Sequence, residues 1–456
     1  MRMSGSDIQR ATRGQWRGGM PDILHDIVTD TRDFKSGQTF LALRGPHFDG
    51  HAFAHKIADQ AQALIGDHEG VRLWDNLEVH QLEVDDTLQA FGDIAHAWRM
   101  QLHQTTLIAI SGSYGKTSIR SLLEHGLRQL GLQVAATRAN LNNLVGVPQT
   151  LLSIAADTDF AIVECGISET GEMQRLASIV HPDIAVLTGL SAAHGEGLGG
   201  IEGIAREKAL LLGELSEHGW CVLGSGVRRV LQQYGISLPD DFVDSEQSGA
   251  VTWKLAGTAL TLSHGDEHAA IRLALPARHW AANMALAATI MLRLLRQVGR
   301  PASLQAIAEA LSGWQPAPGR MQYKPGHQGS LILDDSYNAN PASMQAALDT
   351  LVAMEGHRVA ILGDMAELGR DSMNAHSGLN ADDIDQLYLI GPQMQVLAGR
   401  YPQARCFSDT DEAVAYFRNF RAQGNDIILI KASRSMALER IVSLLGTAQE
   451  EIHHAV

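Results

Sequence analysis

Apolar residues recur along this chain with two alternating periods, and the alternation organises it. Residues 105–110 form a β-branched, apolar run suited to a buried strand, and beyond it Ile119, Leu122, Leu123, Leu127 and Leu130 share one face of a helix. Runs at 160–163 and 183–187 predict further strands in a region of alternating elements from 104 to 312, and 204–212 predicts a helix. Residues 253–275 alternate about a Gly265-Asp turn and predict a hairpin, after which an alanine-rich helix opens near His279. Beyond the turn-rich stretch Trp314-Gln-Pro-Ala-Pro-Gly319 the alternation resumes, with strand candidates at 331–333, 359–362, 387–390 and 427–430. The first hundred residues are more mixed, with a strand at 39–43, a glycine turn and a helix-like stretch from Phe53. Strands alternating with helices predict an α/β protein. The breaks divide it into three domains, residues 1–102, 103–312 and 313–456.

Composition narrows the partners. The 456 residues carry 36 Lys+Arg against 51 Asp+Glu, a formal charge of −15, which argues against nucleic acid or an anionic membrane surface as main partner. No apolar run is long enough to span a bilayer. Arg2, Arg10, Arg13 and Arg17 are followed by no apolar segment, so the N-terminus does not read as a secretory signal. Cys165, Cys221 and Cys406 have no metal or disulfide spacing. A cytoplasmic location is the expectation.

Candidate chemistry gathers where strands end. Ile108-Ala-Ile-Ser-Gly-Ser-Tyr-Gly-Lys-Thr-Ser118 joins strand to helix through a glycine turn. Gly112 and Gly115 let backbone N–H groups close around an anion, with Ser113, Tyr114 and Ser118 in the same loop. Lys116 adds a mobile charge, and Thr117 offers a hydroxyl to Mg²⁺. The spacing is a short Gly-x-x-Gly-Lys-Thr form, and its plainer alternative is an ordinary glycine turn with a surface lysine. The second strand stops at Glu164, a carboxylate placed for a metal-bound phosphate. The third ends at Thr188, with His194 one loop on, either a metal ligand or a loop cap. Lys208 lies on the following helix, facing the site or solvent.

Four other clusters have two readings each. Asn140, Asn142 and Asn143 offer donors and acceptors to a sugar or peptide, or simply build a loop. His279 and Asn283, one helical turn apart, suit an adenine edge or a polar helix face. Asp30, Thr31 and Arg32, with Asp49 and His51, flank the first strand and read more readily as turn chemistry. At the far end, Asp334-Asp-Ser-Tyr-Asn-Ala-Asn-Pro341, Gly363-Asp-Met-Ala-Glu-Leu-Gly369 and Lys431-Ala-Ser-Arg-Ser435 each follow a strand candidate.

Taken together, these motifs resemble the Mur ligases, the ATP-dependent amide-bond ligases of peptidoglycan precursor synthesis. The resemblance covers nearly the whole chain. The segments around Asp335 and Asp364 are closest to members that add D-alanyl-D-alanine to UDP-N-acetylmuramoyl-tripeptide. It implies a small mixed α/β N-terminal domain for the UDP-sugar, a central P-loop ATPase with a mainly parallel sheet, and a C-terminal Rossmann-like domain for the incoming amine. By resemblance, Asp30, Thr31, Arg32, Asp49 and His51 lie near the UDP end, and Asn140, Asn142 and Asn143 near the sugar-peptide. Thr117 and Glu164 hold one Mg²⁺ and His194 a second, supported by a carbamylated Lys208. His279 and Asn283 meet adenine, and Arg320 and Asp335 approach ATP. Asn338, Lys431, Ser433 and Arg434 lie near the dipeptide. Catalysis through an acyl phosphate falls to Lys116, Lys208, His194 and Arg320, in a monomer.

The chain also departs from the family pattern. Cys165 stands for a frequent methionine, Ile167-Ser-Glu169 for Ala-Asn-His, Gly189 for an asparagine, Trp280 for the first asparagine of His-Asn-x-x-Asn, and Ala432 for a glycine. These leave room for a paralogous ligase with another amine or carboxylate, and, against the intact Lys116, Glu164 and Lys208, for a non-catalytic nucleotide-binding scaffold.

Overall fold

A computed structural model describes residues 1–191, 195–300 and 302–447. His194, expected as a metal ligand, lies outside the described residues.

The central sheet positions everything else. Its six strands are all parallel, in the order Val134–Ala136, Phe160–Glu164, Thr106–Ser111, Ile184–Leu187, Trp220–Leu223, Phe242–Asp244. Leu107 to Ile110 and Phe160 to Val163 are buried on both faces, as apolar runs in a helix-covered parallel sheet must be. Because the strands run one way, their carboxyl ends form a single edge, where ligands of such sheets bind. Register then sets Ile110 beside Glu164 and Ser111 beside Leu187, so the glycine loop and the Glu164 carboxylate emerge side by side.

Helix Lys116–Gln129 leaves the glycine loop and buries Ile119, Leu122, Leu123 and Leu127 in a core shared with helix Arg278–Gln297. The expected hairpin is a three-stranded antiparallel meander, Thr252–Ala256, Ala259–His264 and Glu267–Arg272. A second turn at Gly257, whose φ is +57, breaks the alternation that had been read as one strand.

The N-terminal sheet has five strands in the order Gln15–Arg17, His80–Val84, Ala63–Asp67, Thr39–Leu41, Ile27–Val28, parallel except for the first pair. The helix-like stretch from Phe53 belongs to a 3-10 helix, Gly50–Lys56, capped by the Asp49 side chain on the His51 N–H.

The C-terminal sheet runs Gln322–Pro325, Leu331–Asp335, Asp426–Lys431, His357–Gly363, Gln386–Ile390, Arg405–Phe407, parallel except for its first strand. The turn-rich stretch before it is anchored rather than free. Trp314 donates from Nε1 to Ser121 Oγ at 2.8 Å and meets the Trp280 ring edge-on at 5.6 Å. Among the described residues no helix is long and apolar enough to cross a membrane.

Candidate functional site

The glycine loop is shaped by two positive φ angles, +146 at Gly112 and +84 at Gly115. A Cβ at Gly112 would sit 2.2 Å from Thr188 Oγ1, so the close approach of the two strand ends requires glycine there. Thr188 donates from that oxygen to the Ser111 and Tyr114 carbonyls, and Ser113 N donates to Gly189 O at 2.7 Å. Gly189 is in turn the space for Tyr114: a Cβ there would meet the ring at 2.4 Å, which accounts for the missing asparagine. Gly115 opens a 14-residue helix with no acidic residue in its first turn, leaving its N–H dipole end free to attract an anion. Lys116 donates to Gly112 O at 2.6 Å, and desolvation in the cleft lowers its ammonium to about 8.

Beside the loop, Thr117 Oγ1 donates to Glu164 Oε2 at 3.2 Å, and Arg120 Nε donates to Glu164 Oε1 at 2.7 Å. Glu164 is 1% exposed. Two hard oxygen donors at a phosphate cradle form a set that fits Mg²⁺. Among the described residues no group of three or more His, Cys, Asp or Glu side chains gathers into a metal cage. Arg120 escaped the sequence reading because one cation on an amphipathic helix is unremarkable; its only signal is standing three residues after Thr117, on the same face. Lys208 is buried behind the loop, and desolvation, followed by the nearby Lys116 charge, pushes its pKa well down. Cys165 follows Glu164 in the buried wall, and desolvation drives its thiol up to about 12, where it is inert as a nucleophile.

Lys116, Thr117 and Glu164 open into a cavity of about 850 Å³ along the carboxyl edge of the central sheet, roofed by the C-terminal domain. On the Glu164 side it is lined by Asn140, Asn142 and Asn143. Asn143 also spends its oxygen on the N–H groups of Val145 and Gly146, so part of its chemistry is loop building. On the opposite side lie His279 and Asn283. His279 Nδ1 is buried with no partner among the described residues, and desolvation lowers the ring to about 4. Ser245, whose Oγ is likewise buried and unpartnered, lines this side with Ser225, Glu246 and Trp253. Sequence reading missed Ser225, Ser245 and Glu246, since the strands before them are short and unmarked by motifs, and it read Trp253 only as part of a hairpin.

From the roof, Arg320 stacks over the Tyr337 ring at 4.2 Å, and Lys431 Nζ lies 2.7 Å from Asp335 Oδ2 and donates to Asn338 O at 2.9 Å. All five of these residues line the cavity. Asn340 Nδ2 donates to Ser113 O at 3.5 Å, a direct contact between roof and cradle.

Ser433 and Arg434, like Gly112 and Lys208, are not among the residues that line the cavity. Ser433 is buried, accepting from Ala366 N at 2.7 Å and donating its own N–H to Asp364 O, so it braces the Gly-Asp-Met loop. Arg434 is 62% exposed in its side chain, pairs with Glu439 at 3.0 Å and lies 6.0 Å from the ring centroid of Tyr337, at the margin of the cavity. For Ser433 this replaces the expected place near the dipeptide with a bracing role.

The N-terminal motifs lie apart from this cavity. Asp30 lines a separate recess of about 330 Å³ with Thr29, Asp33 and Gln149, between the N-terminal and central domains, and Gln149 donates to Thr29 Oγ1 at 3.1 Å. Hydrogen bonds from Arg32 hold the Asp30 carboxyl down at about 2. Thr31 and the exposed Arg32 flank the recess without lining it. His51 corrects the ligand-facing expectation in favour of turn chemistry. His51 is buried, its Nδ1 2.6 Å from Asp49 Oδ1 and its Nε2 accepting from Asp67 N at 3.1 Å, so neither ring nitrogen is open to a ligand.

Comparison with known proteins bears on what this cavity serves. The Mur ligase middle domain matches residues 110–291, and the Mur ligase, glutamate ligase domain matches residues 319–434. The chain is 34% identical to UDP-N-acetylmuramoyl-tripeptide–D-alanyl-D-alanine ligase of Escherichia coli (strain K12), over 96% of this chain and 97% of that protein. It is 29% identical to the ligase of the same name from Bacillus subtilis (strain 168), over 92% and 93%. A crystal structure of MurF from Acinetobacter baumannii matches with a TM-score of 0.84 at 27% identity, covering 97% of this chain and 98% of that one. With both family models lying on the two domains that enclose the cavity, the chain belongs to the Mur ligase family.

Proposed function

We propose that this chain is an ATP-dependent ligase that joins the terminal carboxylate of UDP-N-acetylmuramoyl-tripeptide to the amine of D-alanyl-D-alanine. The observation that carries this reading is the meeting, in one cavity, of the phosphate cradle, the Thr117–Glu164 oxygen pair and the Asp335–Lys431 roof. Residues 1–102 take the UDP-sugar, 103–312 the nucleotide and 313–456 the dipeptide. ATP as substrate and three unpaired cysteines support a cytoplasmic location, and the enzyme acts as a monomer.

A carboxylate is a poor electrophile. One of its oxygens attacks the γ-phosphorus, the bond to ADP breaks, and an acyl phosphate forms. The dipeptide amine then adds to the acyl carbon, phosphate leaves, and the amine proton passes to phosphate or solvent. Both steps concentrate negative charge, which Lys116 and Arg320 face from floor and roof. Thr117 Oγ1 and Glu164 Oε2 would hold Mg²⁺, which supplies further charge neutralisation when bound. His279 and Asn283 orient the base, and Asn140, Asn142 and Asn143 orient the sugar-peptide. Asn338 and Lys431 approach the dipeptide. Burial favours a neutral Lys208 amine, the form that adds CO₂ with loss of a proton; the resulting carbamate and His194 are assigned to a second Mg²⁺. Contact between Asn340 and the cradle helps exclude water from the acyl phosphate.

Phosphate release tests the reading. Release should require ATP, UDP-N-acetylmuramoyl-tripeptide and D-alanyl-D-alanine together; release that ignores the dipeptide, or its absence with all three, overturns it.

A further inference from the structure

Arg120 has no part in the chemistry described so far, yet it is buried at the centre of it. It stands on the helix that begins at Lys116, three residues after Thr117, so both side chains reach the end of strand Phe160–Glu164 from one helix face. Its Nε donates to Glu164 Oε1 at 2.7 Å, and its Nη1 donates to Glu124 Oε2 at 3.0 Å. Glu124 Oε1 in turn lies 2.9 Å from Arg128, whose Nη2 donates to Val134 O at 2.9 Å. The Glu164 carboxylate is thereby tied through three charged side chains to the edge strand of the sheet.

We propose that Arg120 is a positioning residue that fixes the Glu164 carboxylate, committing Oε1 to the guanidinium and presenting Oε2 alone, beside Thr117, to the divalent cation. The inference rests on the reading of Thr117 and Glu164 as Mg²⁺ donors. A carboxylate free to rotate offers both oxygens. One oxygen held at a set angle suits the compact octahedron of Mg²⁺, whereas two from one carboxylate suit the larger, looser shell of Ca²⁺. Carboxylates that bind metals depend on such outer hydrogen bonds, whose loss typically weakens affinity by about 10–100-fold. Arg120 therefore sets both the strength of Mg²⁺ binding and its preference over Ca²⁺.

The test titrates Mn²⁺ into the ADP-bound enzyme, reading free Mn²⁺ by EPR and repeating the titration against Ca²⁺. Arg120→Met should raise the Mn²⁺ Kd by about 10–100-fold and narrow the margin over Ca²⁺, with metal-free ADP affinity unchanged. Arg120→Lys keeps the charge without the planar fork and should fall between parent and Arg120→Met; it carries the test alone where the methionine variant does not fold. Parental Mn²⁺ affinity in a folded Arg120 variant, with Glu164→Gln weakened, overturns the role of Arg120 only. Parental affinity in Glu164→Gln as well removes the metal reading and this inference with it.

Discussion

Asp335 and Lys431 are register partners on adjacent parallel strands, and their side chains meet at 2.7 Å in the roof of the cavity. The pair is an unequal one. Burial, the largest influence, pushes the Asp335 carboxyl up against the opposing pull of Lys431 and Arg320. Asp335 can therefore shed its charge by taking up a proton, whereas loss of Asp335 leaves the Lys431 ammonium with the Asn338 carbonyl. Asp335→Asn should cost about 3–5 kcal/mol of stability, the usual result of breaking a buried pair, and Lys431→Met should cost less. The double variant should cost less than the sum of the two. Urea unfolding of the three variants checks the order; equal single costs that add would show the pair to be uncoupled.

Lys116 links nucleotide affinity to pH. Its ammonium is lowered to about 8 by desolvation, so most of it is still charged at neutral pH. Bound phosphate favours the charged form. Affinity for ATP, measured without divalent metal, should thus fall as pH rises above about 8, by at most about tenfold per unit for one proton. Stability runs the other way. Because the folded value lies below the ordinary 10.5, the unfolded chain holds more protons between 8 and 10.5, and this residue's contribution improves as pH rises through that window. Lys116→Met should abolish ligation, flatten the pH dependence of ATP binding and leave stability at pH 7 equal to the parent or higher. Phosphate release reads the first effect, calorimetric titration with ATP at pH 7 to 9.5 the second, and urea unfolding at pH 7 the third.

The sequence announced the floor of this site more fully than its far side or its roof. Gly112, Gly115, Lys116 and Thr117 are legible because a strand, a glycine turn and a helix must follow one another at that spacing for a phosphate to be held. Glu164 was legible because an apolar run stops there. Ser225 and Ser245 were not, because strands Trp220–Leu223 and Phe242–Asp244 are too short to show a period against their surroundings. Arg120 and Ser433 show a different limit. One turns inward from a helix face that reads as solvated, and the other turns away from the cavity its motif adjoins. Spacing places a residue at a strand end, but the loop beyond it decides which way the side chain points.

Lys208 offers a test with a chemical rescue. Its amine is buried, its pKa lies well below the ordinary lysine value, and among the described residues no carboxylate pairs with it. A carbamate there would carry an anion where the native side chain carries none. Lys208→Ala should lose about a hundredfold or more in ligation, as removal of a group that stabilises developing charge does. Formate or acetate should restore part of the activity, and the parent, equilibrated with ¹³C-labelled bicarbonate, should show a carbamate carbon by NMR. A parent enzyme without that resonance, together with a variant that small acids do not rescue, would remove the carbamate from the mechanism.

His51 separates a motif that binds from a motif that folds. Both ring nitrogens are engaged, by Asp49 and by the Asp67 N–H, and the ring lies 5.3 Å from that of Trp74. Gly70 passes so close that a Cβ on it would overlap the imidazole at 1.8 Å, which marks how tightly the ring is enclosed. His51→Ala removes both hydrogen bonds and opens a cavity beside Trp74, at a cost of about 2–4 kcal/mol. The expected result is a lower unfolding midpoint with ATP affinity unchanged and with KM for UDP-N-acetylmuramoyl-tripeptide within about twofold of the parent, since the ring contributes structure rather than contact. A variant of parental stability whose KM for that substrate rises tenfold would instead return His51 to the ligand-facing role its motif suggested.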